Sequence, residues 1–422
     1  MSTEHFTITE HIIPASHIRE FPGCTVYQDD ILRLHVKQYT PKPKPNPNVS
    51  PADESPPKDR DKNSNSDTNA ITIIAAHGVA LPKELYEPLW DELLPRCRAR
   101  GVEVRALWIA DFVSMGGSGV LNDGALSTDC SWSDHARDLF VLVNHFRHEM
   151  VRPIVGVGHS FGGNILTNLA YLHPRLFSTL LLLDPVIQLS PPTTNLGPDA
   201  PAVISSILAR PDTWPTRAAA VRAHQKQWGA WDARCTQRMV VHGFRELPTA
   251  LYPALPRAGK PVTLTTTKYQ DLLAQMRVNA TGPSAVGRRA YPSDPDPAEL
   301  AALVDLYRPE LRRTFEALPG LRPSCLWVMG GSTHLRREEI VRGIGMCGTG
   351  LGGSGGVGKG AVKEQIVDGA GHFFPFERVS DTAGVCADWI QARMAIWRLE
   401  EAEWVQGRAA LGARGHLVAS LY

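Results

Sequence analysis

The stretch Val155-Gly156-Val157-Gly158-His159-Ser160-Phe161-Gly162-Gly163 decides the fold of this chain. Residues 154–157 have the composition of a short buried strand, and residues 161–172 read as a helix that stops before Pro174. A serine flanked by glycines at a sharp strand-to-helix turn matches the G-x-S-x-G nucleophile elbow. A side chain at either flanking glycine would collide with neighbouring backbone in so tight a bend. We therefore predict that this turn lifts the Ser160 hydroxyl out of the sheet as a nucleophile.

The elbow lies within a regular alternation of strands and helices. The predicted order is strand 71–76, helix 83–100, strand 102–109, helix 133–150, strand 154–157, helix 161–172 and strand 180–183. After a long interruption come strands at 325–329 and 363–367 and a helix at 380–398, and two antiparallel strands are predicted earlier, at 6–13 and 31–38. This rhythm indicates a parallel sheet covered on both faces. The predicted class is the α/β-hydrolase fold, an α/β architecture with a mostly parallel central sheet, helices on both faces and an inserted helical cap.

The same rhythm predicts the domain organisation. The first part of the core covers 1–185, the helical cap or lid 186–320, the second part of the core 321–398, and a C-terminal tail 399–422. Residues 40–69 are dense in proline, serine, asparagine and charge, which predicts a disordered loop insertion. Residues 343–360 are rich in glycine and are predicted to form a flexible surface loop.

Composition disfavours several classes of function. The 422 residues contain 44 basic and 43 acidic side chains, and a net charge of +1 gives no field that would recruit nucleic acid or a membrane surface. The seven cysteines are scattered and form no C-x-x-C pair, so neither a disulfide framework nor a zinc site is indicated. No secretory signal is recognisable at the N-terminus, and the apolar runs are too short for a bilayer. We expect an intracellular protein.

Two backbone amides are expected to stabilise an oxyanion beside Ser160. One belongs to Phe161, the residue after the nucleophile, and the other should come from the loop after an earlier strand. Strand 71–76 runs into His77-Gly78-Val79-Ala80, so the Val79 amide is the second predicted donor. The alternative is that His77-Gly78 only turns the chain.

A serine hydroxyl needs a base, and the predicted base is His372. In this fold the histidine follows the last strand, and the chain order is serine, acid, histidine. Strand 363–367 leads into Asp368-Gly369-Ala370-Gly371-His372, whose small residues would let the loop approach Ser160. The loop also contains an acid, Asp368, which could stabilise the loop near the histidine instead of acting as the triad acid.

The acid is assigned to Asp184, which directly follows strand 180–183. No carboxylate follows strand 325–329 until Glu338 and Glu339, which lie in a helical-looking segment. Strands 180–183 and 325–329 are expected to be neighbours, so Asp184 could reach the same imidazole nitrogen, since geometry rather than chain position defines a triad. The alternatives are a strand-ending or helix-capping role for Asp184, with the acid supplied by the later glutamates.

The predicted chemistry is hydrolysis of an acyl ester or thioester through an acyl-enzyme, without a metal or organic cofactor. Two alternatives remain open: acyl transfer by the same three residues, or a hydrolase-fold protein that binds ligand without turnover. Cap side chains could contact the substrate, namely Trp214, Trp228 and Trp231 for an acyl group and Arg277, Arg288, Arg289, Arg312 and Arg313 for phosphates. Such tryptophans are more often core, and such arginines are more often a solvated surface.

The motifs GHSFGG (158–163), LLLLDPVI (180–187) and GAGHFFPFE (369–377) resemble a fungal family of secondary-metabolism α/β hydrolases. That family includes the peroxisomal acyl-CoA hydrolase of mycophenolic acid biosynthesis and peroxisomal hydrolases of host-selective toxin pathways. The resemblance extends over most of 70–190 and 320–395. It implies a Ser160, Asp184 and His372 triad and a small-molecule substrate, either a polyketide-derived acyl-CoA or a related acyl ester.

The resemblance also implies a peroxisomal location, and a homodimer is a further possibility. The chain ends Ser420-Leu421-Tyr422, without the basic and leucine residues of a Ser-Lys-Leu signal. A cytoplasmic location is therefore the alternative expectation.

Overall fold

A computed structural model describes residues 2–43, 70–189, 205, 207–253, 259–278 and 306–415. Its centre is an eight-stranded sheet in the order β1-β2-β4-β3-β5-β6-β7-β8. The strands are β1 (Phe6–Pro14), β2 (Arg33–Pro41), β3 (Ile71–Ala76), β4 (Val104–Ala110), β5 (Ile154–His159), β6 (Thr179–Leu183), β7 (Ser324–Gly330) and β8 (Val362–Val367). Pairing is antiparallel from β1 to β2 and from β2 to β4, and parallel from β4 through to β8.

Helices connect these strands and cover both faces of the sheet. They are α1 (Ser2–His5), α2 (Glu87–Ala99), α3 (Gly116–Leu121), α4 (Trp132–His145), α5 (Phe161–Leu172), α6 (Arg217–His224), α7 (Ala233–His242), α8 (Lys268–Gln275), α9 (Pro309–Ala317), α10 (Arg337–Met346), α11 (Phe374–Glu377) and α12 (Val379–Gly415). The predicted α/β-hydrolase architecture, with a mostly parallel central sheet, is confirmed.

The central strands are buried on both faces, which explains their continuous apolar sequences. Along β6, Leu180 and Leu182 point into the core layer that contains α4 and α5. Leu181 and Leu183 point into the opposite layer, which contains α2 and α12. Successive side chains of a strand point to opposite faces, so the run of four leucines supplies both layers at once.

The interruption between β6 and β7 holds helices, as predicted, and also short strands that the sequence did not predict. Three of them form a small antiparallel sheet, at Thr213–Trp214, Phe244–Glu246 and Val262–Leu264. Another pair joins Arg277–Val278 to Leu306–Tyr307. Segments of two or three residues are too short to show an alternating pattern, so sequence periodicity cannot reveal them.

Several predicted boundaries differ from the structure. The final helix α12 continues to Gly415, so the prediction of a separate tail was wrong over 399–415. The predicted glycine-rich loop begins inside α10, and its next residues are tied by bonds such as Gly348 N–H to Leu318 O at 2.9 Å. The predicted disordered insertion begins inside β2, and its residues 44–69 lie outside the described part. Within the described ranges, no helix is both long and apolar enough to cross a bilayer.

The two-layer core predicts a sharp contrast between two tryptophans. Trp327 lies in β7 with none of its surface exposed, whereas Trp404 on α12 is 55% exposed. Trp327→Ala should lower the free energy of unfolding by about 3–5 kcal/mol, because it leaves a large cavity. Trp404→Ala, the matched control, should change it by less than about 0.5 kcal/mol. Urea denaturation of both variants measures this, and equal losses would contradict the assignment of Trp327 to the core.

Candidate active site

The nucleophile elbow has the strained geometry that its sequence predicts. Ser160 lies between β5 and α5 with φ 55° and ψ −118°, a backbone conformation that residues other than glycine rarely adopt. Its amide donates to Leu183 O at 2.8 Å, which ties the turn to the end of β6. A Cβ on Gly158 would lie 2.5 Å from Gly162 O, and one on Gly162 would overlap the Ala76 carbonyl of β3. Both glycines are therefore required by close backbone contact.

The structure brings Ser160, Asp184 and His372 together at the carboxyl edge of the sheet. Ser160 Oγ lies 2.8 Å from His372 Nε2, and His372 Nδ1 lies 2.6 Å from Asp184 Oδ2. A carboxylate can only accept, so the imidazole proton belongs on Nδ1 and Nε2 is free to accept from the serine. This is the arrangement in which a serine hydroxyl can lose its proton to a histidine.

Asp184 is fully buried and sits in a cage of donors. Its Oδ1 accepts from the Gly330 amide at 3.0 Å, and its Oδ2 accepts from the Thr333 hydroxyl at 2.5 Å. These bonds fix the orientation of the carboxyl group towards His372. The segment after β7 has no carboxylate of its own. It contributes hydrogen-bond donors to the carboxylate of Asp184, which follows β6. Sequence reasoning missed Thr333 and Gly330, although a hydroxyl in that empty acid position was a usable signal.

The alternative acids lie elsewhere. Glu338 and Glu339 are in the first turn of α10, where Glu339 accepts from the Leu189 amide at 2.8 Å. In the histidine loop, the Gly371 amide is held by Glu377 at 3.1 Å rather than by Asp368.

The predicted oxyanion turn is held by the His77 side chain. His77 Nε2 accepts from the Phe112 amide at 3.0 Å, so His77 Nδ1 carries the proton and donates to Gly78 O at 2.7 Å. The Gly78 carbonyl and the Val79 N–H belong to one planar trans peptide and point in opposite directions. His77 therefore sets the direction of the Val79 amide.

The two predicted amide donors share a cavity with the nucleophile. Val79 and Phe161 line it together with Ser160 and His372. Phe161 is the first residue of α5, where a helix leaves its amide unpaired. Neither amide has a hydrogen-bond acceptor among the residues whose positions are described. Both remain predicted donors, placed where an oxyanion could use them.

A chain of hydrogen bonds connects the oxyanion turn, the elbow and the histidine loop. The Gly78 amide donates to Tyr86 Oη at 2.8 Å, and Tyr86 Oη donates to His159 Nδ1 at 2.7 Å. His159 Nε2 then donates to the backbone carbonyl of His372 at 2.9 Å. Burial, helped by the nearby His372, lowers the pKa of His159 to about 3, so this ring is neutral. The sequence placed His159 in the elbow without revealing that it holds the catalytic loop.

The cavity beside Ser160 has a volume of about 240 Å³. Its other walls are mainly apolar, formed by Leu81, Trp132, Val186, Met276, Leu335 and Phe373, with Gln188, Gln275 and His334 as polar members. A second cavity of about 300 Å³ shares Val79, Leu81, Gln275 and Phe373 with it and extends towards the insert. Trp228 and Trp231 line this extension. Trp214 and Trp228 also belong to the small core of the insert, the role that such tryptophans more often have.

The predicted phosphate contacts do not gather at this site. Arg277 is buried and pairs with Asp129 through two bonds of 2.7 Å each. Arg312 pairs with Glu316 at 2.7 Å, and Arg313 pairs with Glu20 at 2.8 Å. Arg288 and Arg289 lie outside the described residues.

Residues 73–388 match the family model described as the alpha/beta hydrolase family. The chain belongs to this family. The type I acyl-CoA thioesterase mpaH of Penicillium brevicompactum is 53% identical over 423 residues, covering 97% of this chain and 93% of that protein. The corresponding thioesterase of Penicillium roqueforti is 52% identical over 435 residues, covering 99% and 94%. The predicted resemblance to fungal secondary-metabolism hydrolases is confirmed.

More distant relatives fit the same family. The abhydrolase domain-containing protein AFT2-1 of Alternaria alternata is 30% identical over 271 residues, covering 63% of this chain and 90% of that protein. Among solved structures, the peroxisomal α/β-hydrolase Lpx1 of Saccharomyces cerevisiae superposes with a TM-score of 0.67 at 15% identity, covering 92% of this chain and 90% of the other. That likeness supports the fold alone.

Two buried neutral histidines predict a loss of stability in acid. Burial lowers the pKa of His77 to about 4 and that of His159 to about 3, from an ordinary value of 6.5. The unfolded chain therefore binds these protons more readily, so their contribution to stability is complete above pH 6.5 and declines as the pH falls below it. His159→Gln should flatten the slope of unfolding free energy against pH by up to about 1.4 kcal/mol per unit between pH 6 and 4.

Urea denaturation across this pH range measures the slope. The exposed His148→Gln variant is the matched control and should keep the wild-type slope. Parallel curves for wild type and His159→Gln would show that His159 is not held neutral by the fold.

Proposed function

We propose that this protein hydrolyses acyl-CoA thioesters, or closely related acyl esters, through an acyl-enzyme on Ser160. The observation that carries the proposal is the continuous hydrogen-bonded chain from Ser160 Oγ through His372 to Asp184, with contacts of 2.8 and 2.6 Å. The thioester preference is supported by relatives named as type I acyl-CoA thioesterases, which are 52–53% identical over nearly the whole chain.

The first half of the reaction forms the acyl-enzyme. His372 Nε2 takes the Ser160 proton while Oγ attacks the acyl carbonyl, and the imidazolium is stabilised by the Asp184 carboxylate. Negative charge develops on the carbonyl oxygen, and we expect the amides of Val79 and Phe161, which line the same cavity as Ser160, to donate to it. His372 returns its proton to the departing thiolate or alkoxide as the bond to the acyl carbon breaks.

The second half releases the acid. Water enters the place of the leaving group, His372 removes its proton, and the hydroxide adds to the acyl carbon. Collapse of this second intermediate breaks the bond to Ser160 Oγ, which regains its proton from His372. An alcohol or amine in place of water would give acyl transfer, so the identity of the product separates hydrolysis from transfer.

The cavity favours an apolar acyl group. Its walls next to Ser160 are mainly aliphatic and aromatic, and the extension adds the faces of Trp228 and Trp231. Aromatic walls suit a ring-bearing acyl chain, which fits a polyketide-derived substrate of fungal secondary metabolism. A peroxisomal or cytoplasmic location and a homodimer stay predictions.

Substrate class is tested with the purified full chain on a panel of acyl-CoAs, p-nitrophenyl esters and lactones. We expect free acid and free CoA from acyl-CoAs, and Ser160→Ala should lower kcat/KM by about 10⁴-fold or more. Mass spectrometry should find the acyl group on Ser160 during turnover. Equal rates for wild type and Ser160→Ala on every substrate would disprove the serine mechanism, and an acyl product on an added alcohol would identify transfer.

The acid is tested by a pair of isosteric changes. Asp184→Asn leaves the shape of the site but removes the acceptor that holds the proton on His372 Nδ1, so kcat should fall by about 10³–10⁴-fold. Glu338→Gln in α10 should leave kcat within about twofold, since its carboxylate makes no contact with His372. If Glu338→Gln lost most of its kcat while Asp184→Asn stayed active, the triad acid would be Glu338 and not Asp184.

A further inference from the structure

A second site lies at the opposite edge of the sheet from Ser160. It is a cavity of about 290 Å³ whose walls include Ser178, Ser324 and Ala361, residues at or just before the first positions of β6, β7 and β8. Parallel strands begin at one edge and end at the other, so the catalytic loops are about 20 Å away along the strands. The family's reaction makes no use of this edge.

The cavity has a strong excess of positive charge. Four arginines line it, namely Arg152, Arg175, Arg322 and Arg393, against one carboxylate, Glu400. Arg152 has a partner in Glu401 at 3.5 Å. Arg175 and Arg322 have no ion-pair partner within the described ranges, although both lie on the cavity wall. Two guanidinium groups without a carboxylate partner in the described part of the chain, beside two others, leave a net positive charge on the cavity wall, which favours a bound anion.

Unsatisfied donors point to the same conclusion. Arg393 Nε, Trp397 Nε1 and Ser354 Oγ are buried atoms without a hydrogen-bond partner, and each belongs to a residue that lines the cavity. Leaving a buried donor unpaired is costly, and most buried polar atoms in folded proteins are paired. Burial also lowers the pKa of Arg393, because Glu400 offsets only part of the lost hydration. An anion that entered the cavity and drew these side chains towards it would give their donors an acceptor.

We infer that this cavity binds a phosphate-bearing small molecule through Arg152, Arg175, Arg322 and Arg393. Guanidinium groups match phosphate oxygens with paired hydrogen bonds, and a phosphate offers more acceptor positions than a single carboxylate. The Trp397 indole adds a donor and a flat apolar surface at the rim. This site is independent of the reaction proposed for Ser160.

Calorimetric titration of the full chain with inorganic diphosphate tests the inference. We expect one binding site per chain, an affinity that weakens with added salt, and a higher thermal midpoint in the presence of diphosphate. Arg175→Ala/Arg322→Ala should weaken binding at least about tenfold, because the loss of even one hydrogen bond to a charged group costs about a factor of ten in affinity or more. Both side chains are exposed, and neither forms an ion pair with any residue whose position is described, so folding and p-nitrophenyl ester hydrolysis should be unchanged.

The matched control is Arg312→Ala/Arg313→Ala, which removes the same charge from exposed positions on α9. This control should keep the wild-type affinity for diphosphate. Equal weakening in both double variants would show that only the net charge of the protein matters, and it would overturn the inference. Absence of diphosphate binding would overturn it as well. A parallel titration with adenosine 3′,5′-bisphosphate identifies the recognised group, because equal affinity indicates phosphate alone and tighter binding indicates a nucleotide.

If the double variant is poorly folded, Trp397→Phe provides a second test. It keeps an aromatic ring but removes the indole N–H, which has no partner among the described residues, so diphosphate affinity should fall about threefold or more through loss of one hydrogen bond. Unchanged affinity in Trp397→Phe and in a folded Arg393→Lys variant would exclude these donors and with them the proposed site.

Discussion

Close contact between the start of α5 and the end of β3 is the constraint around which the active site is built. The Gly162 backbone lies against the Ala76 carbonyl, and Gly158 lies against Gly162, so the chain must turn within a single residue. Ser160 makes that turn in a strained conformation, a cost of about 1–3 kcal/mol for a residue other than glycine. The bond from its amide to the end of β6 helps to hold it there. This conformation directs the hydroxyl away from both β5 and α5, so that neither element blocks the approach of a substrate to it.

The parallel sheet then brings the other parts to the same edge. Val79 follows β3, Ser160 follows β5, Asp184 follows β6 and His372 follows β8, and all of these strands end at one side. Ligand sites in such sheets form outside the carboxyl ends of the strands. Loops from that edge can meet over a short distance although their residues are far apart in the chain. The insert supplies walls of both cavities, with Met276 in the one beside Ser160 and Trp228 in its neighbour.

The site depends on one buried carboxyl group and two neutral imidazoles. Asp184 is held by the Gly330 amide and the Thr333 hydroxyl as well as by His372. His77 and His159 stay neutral because burial opposes their protonation. Neutral rings can donate at one nitrogen and accept at the other, which lets each connect two loops. A charged His159 would donate at both nitrogens and lose the bond from Tyr86.

The amino-acid sequence determined those features that rest on local conformation. The G-x-S-x-G turn, the strand before it and the helix after it involve neighbouring residues. So do the positions of Asp184 directly after β6 and of His372 in the loop after β8. Tertiary structure alone decided which side chains meet: Tyr86 with His159, Thr333 with Asp184, and four arginines from separate segments around one cavity. It also decided the short strands of the insert and the length of α12. Periodicity shows which face of an element packs against the core, whereas a contact between residues far apart in the chain depends on how complete layers pack.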